Sequence, residues 1–443
     1  METLMLFYNI QNAFRSMKKN PMLTALMIAA TAVGIGVSMT MITLYYLMAQ
    51  NPIPHKSEQL YRIQVDSWNP MHPFDGNRPE RAPNQVTYRD AMAFIDSAPA
   101  QKQSAMFETS LIVRPPNPDQ LPFESGARVT YGDFFSMFDV PFLFGAGWDE
   151  LMDTQASQVV VLTRNMNNRL FGGENSVGRE LSLNNRYFTV VGVIDTWRPM
   201  PRYFDLVGGA LDEVNDLMIP MTLTPSMELR SAANTSGWKA EDIKTFEDRL
   251  NSEYVWIQYW AELKDARAKD EYLGYLDSYV TEQKKLGRFQ RPLNNHIHSV
   301  TEWMDYSEII PMEVKLLVGI GLLFLLVSLL STVSLLLTKF TGFFTEVSIR
   351  RALGASRPAI LQQQLVEVVV IGIAGGLIGI GLTTVSLKAM QASVEDAPEA
   401  LFHMNWTLIG LAILISSLTS LIAGLYPAWR TCLVEPAAEL KNL

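Results

Sequence analysis

Four stretches of this 443-residue chain carry no charged side chain over a length sufficient to cross a bilayer. They are Met22 to Gln50, the run between Lys315 and Lys339, the run between Glu367 and Lys388, and the run between His403 and Arg430. A helix needs about 20 apolar residues to span a hydrocarbon core ~30 Å thick. Lipid offers no partner to a backbone amide, so each stretch must close its own hydrogen bonds as a helix. The first is too long for the apolar segment of a cleaved leader, and no small-x-small cleavage site follows it. Three more such stretches in the last third of one chain exclude a soluble helical core.

Lysine and arginine set the expected direction. Arg15, Lys18 and Lys19 precede the first stretch, Lys339, Arg350, Arg351 and Arg357 lie between the second and third, and Arg430 follows the fourth. The short connection between the third and fourth carries Glu395, Asp396 and Glu399 instead. Both termini and the second connection are therefore expected in the cytoplasm, with 51–310 outside. The expected boundaries are an amphipathic helix over 1–20, membrane helices over 21–50, 311–338, 367–388 and 404–429, a cytoplasmic loop over 339–366, an external loop over 389–403 and a tail over 430–443. Phe7, Ile10, Phe14 and Met17 recur at helical spacing and mark the apolar face of the first element. A net charge of −9 argues against nucleic-acid binding. No Asp, Glu or His falls inside the four stretches, which disfavours a proton-coupled carrier. Cys432 is the sole cysteine, so no intramolecular disulfide forms, and it reads as a passive residue.

The segment 51–310 mixes strands and helices, making the chain an α+β membrane protein. Leu60 to Val65 alternates as a strand, Thr87 opens a helix to Asp96, and Gln158–Thr163 and Tyr187–Ile194 are β-branched runs. Tyr254–Leu263 reads as a strand, Asp265–Lys285 as a charged helix, and Asn295–Val300 as a returning strand. Strand–helix–strand units near both ends, with a β-rich stretch between, suggest one domain in two halves interrupted by an insertion. His296 and His298 would share a strand face, but two ligands without a third make a poor metal site, and no metal is expected. Gly372, Gly375, Gly376 and Gly379 form overlapping GxxxG spacings that favour close helix packing, within one subunit or between two.

The connection from Thr345 to Val368 reads TEVSIRRALGASRPAILQQQLVEV: a short basic helix, either an anchor at the headgroups or a lever for a soluble partner. Glu346, Ile349, Arg350, Arg351, Ala352, Leu353, Gly354, Ala355 and Ser356 match a motif of the MacB/FtsX-type permeases of ABC transporters, and the chain resembles that family. Pro427, Pro436 and Leu440 match its C-terminal pattern. RVTYGDFFSMFDVPFLFGAGW and NRLFGGENSVGRELSLNNRYFTVVGVI resemble its periplasmic passages. The resemblance is weakest from Pro199 to Leu250.

This resemblance implies a periplasmic domain with porter-like halves at 55–130 and 250–305 and an inserted β-rich subdomain at 131–249. It implies a non-catalytic inner-membrane subunit that pairs with a second permease, as a homo- or heterodimer. The sequence holds no G-x-x-x-x-G-K-[ST] phosphate loop, and few residues precede the first stretch. ATP and Mg are therefore expected on a separate ABC ATPase subunit, and this chain is expected to bind no cofactor itself. The coupling residues carried over are Glu346, Ile349, Arg350, Arg351, Leu353, Gly354, Ala355 and Ser356. The implied role is mechanotransmission that expels small molecules or peptides from the periplasm, with a periplasmic adaptor and an outer-membrane channel as partners. A lipoprotein-releasing permease and an FtsX-like regulator of a cell-wall hydrolase are the alternatives.

Overall fold

The computed structural model describes residues 2–206, 209–210, 212–393 and 406–433. The Phe7 side chain, Glu395, Asp396, Glu399, Pro436 and Leu440 lie outside the described residues. The chain divides into two compact units, one of 1–49 with 310–443 and one of Gln50–Ile309.

Helix α1 (Glu2–Lys19) is followed after Asn20 by α2 (Pro21–Ala49). Pro21 suits this start, because its missing N–H sits where a helix leaves that donor unpaired anyway. The buried face of α1 differs from the expected apolar stripe. Asn9 and Ala13 are buried, while Phe14 stays 54% exposed.

The second unit is built on one sheet. Its strands are β1 (Leu60–Gln64), β2 (Val86–Thr87), β3 (Lys102–Arg114), β4 (Phe123–Thr130), β5 (Phe142–Gly145), β6 (Val159–Thr163), β7 (Glu180–Leu183), β8 (Arg186–Ile194), β9 (Leu217–Pro220), β10 (Val255–Glu262) and β11 (His296–Ser299). Interleaved are α3 (Tyr88–Ser97), α4 (Asp133–Met137), α5 (Glu150–Thr154), α6 (Arg164–Phe171), α7 (Thr224–Met227), α8 (Phe246–Leu250), α9 (Ala266–Lys285) and α10 (Val300–Tyr306). The main path runs β11-β1-β10-β3-β4-β9-β6-β8-β5. Local chemistry starts the helices: Thr87, Thr163 and Asp265 each cap a first turn, and Ser299 forms a capping box with Glu302.

Strand β3 holds the sheet together. Its residues Lys102 to Met106 pair antiparallel with β10, and Phe107 to Val113 pair antiparallel with β4. The expected insertion is thus joined to the outer halves by continuous hydrogen bonding, and β4 pairs with β9 from inside that insertion. Successive residues point to opposite faces of a strand. Tyr61 and Ile63 enter one core with Phe94, Phe107 and Tyr259, whereas Leu60, Met106 and Trp260 enter another with Phe134, Phe138 and Trp303. Both faces of the central strands are buried. That is why β10 reads as an unbroken apolar and aromatic run.

The chain then returns as α11 (Met312–Thr341), α12 (Phe344–Ala352), α13 (Arg357–Ser393) and α14 (Trp406–Cys432). Among the described residues α2, α11, α13 and α14 are long and apolar enough to cross a membrane. Helix α13 begins at Arg357, earlier than the expected boundary at 367, so only Leu353–Ser356 separate it from α12. At 1.5 Å per residue its 37 residues reach about 55 Å, well beyond a hydrocarbon core of ~30 Å. The surplus is the polar first turns containing Gln362, Gln363 and Gln364.

The four glycines of the GxxxG spacings in α13 all pack within this unit. A Cβ on Gly375 would meet Thr31 at 2.7 Å and one on Gly379 would meet Ile35 at 2.9 Å, both on α2. Gly372 and Gly376 face Ser420 and Ser416 of α14 instead. Two adjacent small-residue faces therefore let α13 lie close to two helices at once.

Candidate functional site

The motif residues form a short arm whose two sides are unlike. Helix α12 follows α11 through Gly342 and Phe343, and its inward residues Val347 and Ser348 are buried. Val347 packs with Ile360 and Cys432, and Ala355 leans on the same cluster. On the outer side Ile349 is 44% exposed and Leu353 is 84% exposed. Their i, i+4 spacing puts both on one helix face, so the arm offers a small apolar surface bordered by charge.

Glu346 ties that arm to α1. Its carboxylate accepts from Lys19 Nζ at 2.8 Å and from Arg350 Nη2 at 2.6 Å, and Arg350 Nη1 donates to Gln363 Oε1 at 3.0 Å. The hydrogen bond from Lys19, with the Arg350 charge beside it, holds the Glu346 carboxyl below the usual range. The groups are partly exposed, so each bond contributes at most about 1 kcal/mol. The clamp can open at small cost.

Arg351 donates to the Cys432 carbonyl at 3.4 Å, anchoring the arm to the end of α14. Gly354 ends the arm at φ +100°, a backbone conformation that favours glycine. Ser356 Oγ then accepts from Ala359 N at 3.4 Å as α13 begins.

Beneath the arm lies a feature the sequence did not suggest. Lys339 and Glu367, read there as the edges of two stretches, are 1% and 4% exposed and form a buried ion pair between α11 and α13. Ser16 of α1 donates to Glu367 Oε1 at 2.8 Å, and Lys339 Nζ donates to Thr24 Oγ1 of α2 at 3.3 Å. Four helices meet at this pair. Opposite charges on neighbouring helices neutralise each other, so both helices continue past them. The signal available was one cation and one anion at the same end of two consecutive stretches.

His296 and His298 do share a face of β11, with ring centroids 5.4 Å apart. The His298 ring lies 4.5 Å from that of Tyr306, and burial pushes its pKa down to about 4. Both rings pack in an aromatic cluster with Trp303 and Tyr306.

Residues 24–272 match the family described as MacB-like periplasmic core domain, and residues 318–436 match that described as FtsX-like permease C-terminal. A macrolide export ATP-binding/permease protein of Syntrophobacter fumaroxidans is 24% identical over 72% of this chain and 47% of its own length. A pyoverdine export ATP-binding/permease protein of Pseudomonas aeruginosa is 26% identical over 82% of this chain and 49% of its own length. The chain thus spans about half the length of these curated relatives. The crystal structure of the periplasmic region of MacB from Actinobacillus actinomycetemcomitans aligns with 58% of this chain and 95% of that one, at 15% identity and a TM-score of 0.36.

Proposed function

This chain belongs to the family of permeases that join a MacB-like periplasmic core domain to an FtsX-like C-terminal domain, and we propose that it serves as the permease subunit of an ABC-type export complex. ATP is hydrolysed by a nucleotide-binding domain outside residues 1–443, whose sequence holds no phosphate loop. That domain docks on α12 from the cytoplasm, the side to which the lysines and arginines assign it. Two such permeases pair. The domain between α2 and α11 faces the periplasm and expels small molecules or peptides from there, with an adaptor and an outer-membrane channel completing the path. The relatives named for macrolide and pyoverdine export favour a small-molecule cargo.

The observation that carries this reading is the exposed pair Ile349 and Leu353, mounted on a short helix held to α1 by one weak, partly exposed ion pair. An apolar surface of this kind suits a protein partner, and the clamp beside it yields at little cost. A partner that binds two arrangements of the arm unequally shifts their populations.

The test is affinity purification of the full tagged chain from its native membranes, with ATPase activity measured in the eluate. Leu353→Asp and Ile349→Asp each place a charge in the docking surface and should lower the co-purified ATPase activity at least tenfold, while the amount of chain in the membrane stays unchanged. Undiminished ATPase in both variants overturns the docking assignment.

A further inference from the structure

Beside the Glu346 clamp lies a cavity of about 270 Å³, walled by α1, α12 and the first turns of α13, with Phe340 from the end of α11. That volume holds roughly nine waters at ~30 Å³ each. Its lining has polar groups without a partner among the described residues. Gln364 is 7% exposed, and its Oε1 accepts no hydrogen bond. Asn12 Nδ2 is buried and donates to nothing. Arg15 reaches the same cavity and enters no ion pair among the described residues. Such groups lose their hydration without replacement, so the cavity lacks one acceptor and one donor that the protein does not supply.

Charge narrows what could fill it. The lining has Arg15, Lys19 and Arg350 against Glu346 and Glu367, and Lys339 already neutralises Glu367. The balance is positive. We propose that this cavity binds the headgroup of an anionic phospholipid of the phosphatidylglycerol type. The phosphodiester sits beside Arg15 and the Asn12 amide, and a glycerol hydroxyl donates to Gln364 Oε1. A zwitterionic choline headgroup brings a phosphate but no hydrogen-bond donor for Gln364 and no net charge for Arg15. Basic pockets among membrane helices commonly take anionic headgroups. Because Lys19 and Arg350 line the cavity as well as binding Glu346, the lipid shares cations with the clamp and bears on how firmly α12 is held. Naming the inner leaflet as its source rests on the topology proposed above; the headgroup chemistry does not.

The experiment titrates the full chain in detergent with dihexanoyl phosphatidylglycerol, dihexanoyl phosphatidylcholine or inorganic phosphate, following bound ligand by native mass spectrometry and the thermal midpoint. Phosphatidylglycerol should bind at least tenfold more tightly than either alternative. Arg15→Gln, at an exposed position, should weaken it about tenfold, as expected for one charge-assisted hydrogen bond. Asn12→Ala should weaken it as well, and Arg430→Gln, a basic site outside the cavity, should not. Equal binding of inorganic phosphate would mark a free-anion site, and equal binding of phosphatidylcholine a purely apolar one. An equal loss in Arg430→Gln would mark nonspecific surface charge. Any of the three overturns the proposal. None of these readings involves ATP or a partner, so their failure leaves the permease reading untouched.

Discussion

Removing either member of the Lys339–Glu367 pair should destabilise the membrane unit far more than removing both. The pair is buried, and its other contacts are the neutral hydroxyls of Ser16 and Thr24. Each such bond contributes about 1 kcal/mol and cannot replace a counter-charge. Glu367→Gln keeps an acceptor for Ser16 but strands the Lys339 ammonium, which should cost ~3 kcal/mol; Lys339→Met strands the carboxylate and should cost ~3–5 kcal/mol. The double variant Lys339→Met/Glu367→Gln leaves no buried charge and should return to within ~1 kcal/mol of the original, because the ions also lose their desolvation penalty. The coupling energy from this cycle should then exceed ~3 kcal/mol. Helix content followed by circular dichroism during titration of the full chain with sodium dodecyl sulfate in mixed micelles gives the four free energies. Single variants that each cost less than ~1 kcal/mol, or a double variant that costs their sum, would refute the argument.

Two further outcomes follow from packing and titration. A side chain at Gly375 would press on Thr31 at 2.7 Å, so Gly375→Leu should cost ~1–3 kcal/mol in the same titration. Gly381→Leu, where nothing lies within 4 Å, should be close to neutral. In the α/β unit, His298 is a base whose folded pKa of about 4 lies below its ordinary 6.5. The neutral ring is the stable form, so this contribution is complete above pH ~6.5 and is lost as pH falls toward ~4. The shift amounts to about 2 kcal/mol after allowance for partial exposure. The charged groups bearing on the ring are His296, Glu302, Lys269 and Arg62. His298→Phe should keep the contact with Tyr306 and reduce the fall in thermal midpoint between pH 7 and pH 5. An identical fall in both proteins would show that another group governs this range.

The legible part of the fold was the part where one environment acts on a contiguous run of residues, or where a single residue fixes a local event. The apolar runs at β6, β8 and β10, the Thr87 cap of α3 and the Asp265 cap of α9 all stood out for that reason. β3 and β4 did not. In those strands Glu108 faces Arg128 across the ladder, and Arg128 also pairs with Asp205, so charge is buried where a strand pattern calls for an apolar residue. A carboxylate supplied from residue 205 cannot be anticipated from the local sequence of β4. The candidate site shows the same division. The motif from Glu346 to Ser356 stood out as a contiguous run, whereas Lys19 reaches Glu346 from 327 positions away and Lys339 meets Glu367 only once α11 and α13 are neighbours.

Within the membrane unit, the long helices are locked in register by directional bonds as well as by shape. Ser38 donates to the Gly321 carbonyl at 2.8 Å, Ser328 to Ala30 at 2.6 Å, Thr383 to Gly36 at 3.2 Å and Ser416 to Gly372 at 2.6 Å. Three of these join α2 to α11 or α13, the fourth joins α13 to α14, and the Lys339–Glu367 pair adds a tie at one end. Each hydroxyl also has a glycine or alanine at its contact, so the bond forms only at one axial offset. Sliding a helix by a turn would break several ties together, and lipid offers few replacement partners. Helices α2, α11, α13 and α14 should therefore respond to force as one body. The α12 arm is attached differently, by one partly exposed ion pair to α1, a bond from Arg350 to Gln363, one long bond to the Cys432 carbonyl, the small Val347 contact with Ile360 and Cys432, and a Gly354 link. Such contacts contribute at most ~1 kcal/mol each, against several for the buried pair. Relative movement within this unit is least resisted between the arm and α1, the place where a change in binding at Ile349 and Leu353 would first be felt.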